Sequence, residues 1–310
     1  MVELFNLHSL FDSDIRTMNL VKVILFAAFV SVSGFLMAQN AIPPSAGASG
    51  LAMGYTGVTF ENIYSAFSNQ AGLARLSEIS FAVQAEQRFL AAGINSGSAA
   101  FAYPTKSGTF GLAINYFGFS VYNEQKIGLS YSRLLDKNLT IGAQVDYVGL
   151  RFQDAEYGNR GTVTFEIGMQ AKLLKKFTIG AHVFSPVRIK LTENPEDVIP
   201  TQFNLGVSYE PSKKVTVNVE VEKDIDFPVS FKAGVEYFPV EKFGVRAGTS
   251  TMPTQNSFGF GIRLDQVEID LGTVFNWDLG FTPGISIAYS IPSKENTKKA
   301  SSTKNKSQSR

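Results

Sequence analysis

Seven ionisable residues in the later part of the chain are spaced so that they can pair: Glu220, Lys232, Glu236, Arg246, Arg263, Glu268 and Asp270. Each is in phase with glycines or other small residues and out of phase with a row of large apolar ones. In an extended chain, neighbouring side chains point to opposite faces, so these ions share one face. A two-residue turn at Asp265-Gln266 sets Arg263 opposite Glu268, and a hairpin centred on Glu241 sets Glu236 opposite Arg246. Cross-strand pairs of opposite charge contribute roughly 0.2–1 kcal/mol each. Such a set offers an ion-paired polar surface that either guides a solute or fills a narrow interior. On this reading Arg263 is the partner of Glu268, and its loss leaves that carboxylate alone.

The groups that nucleophilic or metal chemistry needs are sparse. There is no cysteine, so thiol nucleophiles, thiolate metal sites and disulfides are excluded. Past the first few residues the only histidine is His182, which follows Thr178 and Gly180 in phase on the polar face. A lipase at a membrane surface needs its serine and histidine on the lipid-facing side, and no Gly-x-Ser-x-Gly elbow occurs. We therefore expect no enzyme activity and no cofactor. The formal net charge of +1 gives no nucleic-acid footprint.

The elements that position these residues follow from a period-two ladder. Phe110, Leu112, Ile114 and Tyr116 alternate with Gly111, Ala113 and Asn115; Phe203, Leu205, Val207 and Tyr209 alternate with Asn204, Gly206 and Ser208; Phe258, Phe260, Ile262 and Leu264 alternate with Gly259, Gly261 and Arg263. The pattern predicts about fourteen strands between residues 78 and 291, an even number with lengths able to cross a bilayer. Tight connections at 106–107, 136–137, 175–176, 211–213, 240–242 and 265–266 alternate with longer ones at 89–96, 153–160, 186–200, 223–228, 251–256 and 276–280, and the short 120–122 connection is the exception. Short turns on one side and longer loops on the other are the habit of transmembrane barrels. The expected fold is all-β: an antiparallel transmembrane β-barrel in the cell outer membrane, lipid outside and both termini periplasmic. A soluble sandwich also alternates. It does not account for so many strands that all share one apolar face. Charges on the lipid side would cost about 2–4 kcal/mol for Arg or Lys at the midplane, so the ions line the lumen. Trp277, beside Phe275 and Phe281, reads as an interface aromatic, and the 186–200 loop with Glu193, Glu196 and Asp197 as the best candidate lid or partner contact.

Four segments follow. Residues 1–38 read as a signal peptide, with Lys22 before the apolar run Val23–Met37 and a start at Met18 giving the cleaner signal. Residues 39–77 are small and Gly-rich, without alternation, and are expected as a plug inside or beneath the barrel, with a short helix in 63–76. Residues 78–291 form the barrel. Residues 292–310 form a basic tail expected to be disordered, with Lys294, Lys298, Lys299, Lys304, Lys306 and Arg310 against Glu295.

The plug segment carries a resemblance. Gly50-Leu51-Ala52-Met53-Gly54-Tyr55-Thr56-Gly57-Val58, followed by Ser68-Asn69-Gln70-Ala71-Gly72-Leu73-Ala74, resembles the opening of FadL-type barrels and more closely that of the PorV/PorQ family of Bacteroidetes outer-membrane proteins. Lys232-Ala233-Gly234-Val235-Glu236-Tyr237 and Phe258-Gly259-Phe260-Gly261-Ile262-Arg263 are similar to later stretches of that family. Gln70 stands where the family has proline. The resemblance implies a fourteen-stranded barrel with an N-terminal plug, marked here by Gly54, Asn69, Ala71 and Gly72. It also implies one of two roles. One is an accessory protein that partners type IX secretion components; the other is a FadL-type channel for a hydrophobic solute. The ionic lumen mildly disfavours a fatty-acid conduit.

Overall fold

The computed structural model describes residues 47–91, 93–153, 159–189 and 198–292. The expected signal peptide, the first part of the plug, residues 190–197 of the candidate lid and the basic tail from 293 lie outside the described residues. The strands are β1 (Ile79–Gln87), β2 (Asn95–Pro104), β3 (Thr109–Gly118), β4 (Tyr122–Asp136), β5 (Leu139–Phe152), β6 (Arg160–Leu173) and β7 (Phe177–Phe184). They continue with β8 (Gln202–Ser212), β9 (Val215–Asp224), β10 (Ser230–Val240), β11 (Phe243–Thr251), β12 (Thr254–Leu264), β13 (Val267–Asn276) and β14 (Gly280–Ile291). Every strand pairs antiparallel with its sequence neighbours and β1 pairs with β14, so the fourteen strands close into a barrel.

The apolar rows face outward. Leu129, Val145 and Phe258 are 66%, 58% and 57% exposed, although each sits mid-strand in a paired sheet. Side chains of this kind left uncovered all round a barrel are a lipid-facing surface, so the barrel spans a membrane. Tight turns occupy one mouth, the turn mouth, at 105–108, 137–138, 174–176, 213–214, 241–242 and 265–266. The other connections define the loop mouth. One expected loop is absent: the connection at 251–256 is only 252–253, because Thr251 pairs with Thr254 and Gln255 and Asn256 continue the ladder. Polarity on the inward face of a barrel strand is indistinguishable, in one sequence, from polarity in a loop.

The lumen is filled by the N-terminal segment. Helix α1 (Gly47–Ala52), helix α2 (Ser65–Ser68) and a 3-10 stretch (Gln70–Arg75) form the plug. Its apolar side, with Phe60, Ile63, Tyr64, Phe67 and Leu73, packs on a wall of small residues, Ala82, Ala100, Ala102 and Ala113. The plug runs round the inner wall past strands of falling number, and inward glycines make room for it. Gly272 and Gly284 meet Leu51; Gly234 and Gly248 meet Met53; Gly180 and Gly206 meet Val58; Gly168 meets Asn69; Gly142 meets Gln70 and Ala71; Gly111 meets Leu73. A Cβ at these positions would overlap or crowd plug atoms, so the glycines are a docking girdle and not merely a polar-side filler. On β9 the corresponding stretch carries Glu220 instead, which accepts the N–H groups of Gly57 and Val58 at 2.9 and 3.0 Å.

Candidate functional site

The plug divides the lumen, and an ionic cluster lies on either side of it. The turn-side cluster is centred on Arg246 of β11. Its Nε donates to Glu236 at 2.7 Å and its Nη1 to Asp270 at 2.6 Å, while Nη2 reaches Glu268 at 3.3 Å. The hairpin registers that place them are Glu236 opposite Arg246 and Arg263 opposite Glu268. Arg263 Nε donates to Glu268 at 3.2 Å, and the guanidinium lies 3.8 Å from the centre of the Phe238 ring. Glu268 is therefore shared between two arginines, which corrects the expectation that Arg263 alone holds it. The reason is geometric: inward side chains on alternate strands converge, so Arg246 reaches across β12 to β13.

Of the seven residues that the sequence singles out, five meet in this cluster and two do not. Glu220 binds plug backbone, and Lys232 bonds Glu222 at 2.7 Å. All seven lie on the inward row.

The loop-side cluster includes none of the seven. Lys126 of β4 bonds Glu166 of β6 at 2.5 Å, and His182 of β7 bonds the other oxygen of Glu166 at 2.9 Å. Gln144 of β5 donates to Asp146 at 2.9 Å and to Glu166 at 3.3 Å. The side chains of Lys126, Glu166 and His182 are at most 2% exposed. The plug joins directly, since Gln70 Nε2 donates to Glu166 Oε2. On the loop side the cluster is capped by a buried apolar group of Val148, Phe184 and Ile199, and Lys126 Nζ lies 5.0 Å from the centre of the Phe184 ring. A signal for it was present in the sequence. Lys126 and Glu166 each stand two residues before an inward glycine, and His182 two after one.

The plug residues are fixed as a set. Gly54 has φ of +73° and donates its N–H to Ser257 Oγ at 2.8 Å. Asn69 is fully buried and donates to the carbonyls of Val58, Met169 and Ala181 at 2.7, 3.2 and 3.3 Å. Its Oδ1 accepts the Ala71 N–H at 3.2 Å. Gly72 is packed so closely that a Cβ would strike the Phe60 carbonyl and Ser65 Oγ. In the plug, burial pushes the Tyr64 phenol up, and the Asp270 carboxylate adds to the shift.

No family model and no curated protein matches this chain. Solved structures do. The CymD monoaromatic hydrocarbon channel aligns over 83% of this chain and 100% of its own, with a TM-score of 0.62 and 13% identity. The Ralstonia pickettii toluene transporter TbuX aligns over 80% of this chain and 98% of its own, with a TM-score of 0.62 and 14% identity. A Pseudomonas aeruginosa FadL homologue aligns over 83% and 99%, with a TM-score of 0.55 and 12% identity. The chain has the fold of these channels. What the fold does with its lumen here depends on the two clusters and on the plug that separates them.

Proposed function

We propose that this chain is a non-enzymatic outer-membrane channel of the hydrocarbon-channel type, with both termini periplasmic, that admits a small apolar solute at its loop mouth. The observation that carries the reading is the buried apolar group at that mouth, Val148, Phe184 and Ile199 with Ile189 against it. These side chains form a buried apolar cluster at the loop mouth, directly beside the Lys126–Glu166 pair. The fold likeness to monoaromatic hydrocarbon channels and a toluene transporter over nearly their full length supports it. The test is toluene uptake by outer-membrane-intact cells that lack their own channel of this kind. Cells making this chain should take up toluene faster than vector controls, and Phe184→Lys should remove the gain. Equal uptake with and without a correctly assembled barrel sinks the proposal.

A second reading, attachment to type IX secretion components in the PorV/PorQ manner, has its own support. The plug is tied to the wall by Glu220, Asn69 and Gln70, and the lumen beneath the apolar rim is ionic. Both suit a closed scaffold. Affinity capture of the barrel from outer-membrane extracts should then recover secretion-machinery proteins in fixed proportion. Capture of the barrel alone removes this reading.

A further inference from the structure

A recess of about 110 Å³ opens at the turn mouth between plug and wall. Its carboxylates outnumber its cations. Arg246 and Arg263 are shared among Glu236, Glu268 and Asp270, so three acids face two guanidinium groups. Glu210 of β8 also lines the recess and makes no ion pair with any described residue. Lys214, in the turn beyond it, donates its ammonium to the Pro239 carbonyl at 3.0 Å instead. Glu61 of the plug lines the recess too, but Lys172 holds it at 2.7 Å. Two negative charges are therefore in excess.

The recess also contains an unmet acceptor. Asn218 of β9 lines it, is 2% exposed, and its Oδ1 has no donor. A buried acceptor is costly to leave unpaired. Asn218 stands opposite Ser208, which is two residues before Glu210 on β8. Thr216, two residues before Asn218, stands opposite Glu236 on β10. The free acid and the arginine-bound acids thus lie on either side of β9. Neighbouring strands are about 4.8 Å apart, so β8 and β10 are separated by about 10 Å. A single metal ion does not span that gap, and among the described residues no three acidic or histidine side chains converge as metal ligands do. Two ammonium groups joined by a short chain do span it. Met53 and Phe60 of the plug, which also line the recess, supply an apolar surface for such a chain. A cavity of about 150 Å³ holds benzene, so this recess takes a ligand of about six non-hydrogen atoms.

We infer that the turn-mouth recess is a binding site for a short aliphatic diamine. One ammonium sits at Glu210 and Asn218, the other at Glu236 and Glu268, and the methylenes lie on Met53 and Phe60. The ligand touches plug and wall together, so its binding ties the two at the turn mouth. This goes beyond the proposed transport and does not depend on which solute passes.

The test is calorimetric titration of the full chain in detergent with 1,4-diaminobutane, at constant ionic strength. Saturable binding at one site per chain is expected. 1-Aminobutane, with one ammonium, should bind at least about tenfold more weakly, the loss of one charge-assisted hydrogen bond. Glu210→Gln should weaken the diamine by a similar factor without altering the heat-modified mobility of the barrel. Glu241→Gln, an exposed acid of the same mouth outside the recess, should leave the affinity unchanged. Absence of saturable binding overturns the inference. So does equal affinity for 1-aminobutane, displacement of the diamine by magnesium at equal charge concentration, or an equal loss in Glu241→Gln, which would mark attraction to the rim as a whole.

Discussion

The loop-side and turn-side clusters use similar residues and hold them differently. Lys126, Glu166 and His182 are sealed between plug and wall, with apolar residues above them. Arg246 is equally buried, but its partners Glu236 and Glu268 face the recess, and Arg263 is 46% exposed. The first cluster touches the plug through Gln70; the second is built from wall residues alone. Burial raises the cost of losing a partner, whereas shared solvent and shared partners lower it. The loop-side cluster therefore makes plug and barrel depend on each other. The turn-side cluster fixes strand register and leaves a charged surface open.

The largest expected effect of a single change lies in the sealed cluster. Lys126→Met takes the lysine ammonium from Glu166 in a buried site, and breaking a buried pair in this way costs about 3–5 kcal/mol. Unfolding of the refolded barrel in urea and detergent should show that loss. A drop below about 1 kcal/mol would place this cluster with the exposed pairs and erase the contrast.

Gln70→Leu comes next. It keeps the volume but removes the bond to Glu166, a loss of about 1.5–3 kcal/mol for a hydrogen bond to a charged group. Most of it should appear as faster hydrogen exchange at Asn69–Gly72, with a smaller change in barrel melting. Equal losses at both sites would mean that plug and wall unfold as one unit. Gly168→Ala then tests the girdle. Its Cβ would displace the Asn69 side chain, which bonds the wall at Met169 and Ala181, for about 1–3 kcal/mol of overpacking. Protease sensitivity of the plug should rise, while strand exchange near Gly168 stays protected.

Much of the barrel was legible because a lipid-facing strand repeats one simple rule. Rows such as Phe258, Phe260, Ile262 and Leu264 need no tertiary information to be assigned outward. The Glu236–Arg246 and Arg263–Glu268 registers were legible because two short turns fix them. The inward face was harder to read. Gly142, Gly168 and Gly180 show only that something small is required; that the plug backbone fills the space depends on a segment far away in sequence. The pairing of Lys126 with Glu166 spans β5, and no hairpin register reports a contact between alternate strands. Asn256 pairs with Thr249 in the ladder although its sequence surroundings read as a loop, for the related reason that inward polar residues carry no apolar signal.

The smallest effect falls in the open cluster and sharpens the contrast from its other end. Arg263→Ala removes a guanidinium that is nearly half exposed and stacked on Phe238. Glu268 keeps its bond to Arg246 at 3.3 Å, so no carboxylate is stranded. An exposed pair of this kind contributes at most about 1 kcal/mol, and salt screens it. Thermal unfolding should shift slightly at low salt and not at high salt. A large, salt-insensitive loss would mean that Arg263 supports Arg246 as a unit. The turn-side cluster would then belong with the sealed one, and exposure would no longer explain the difference between them.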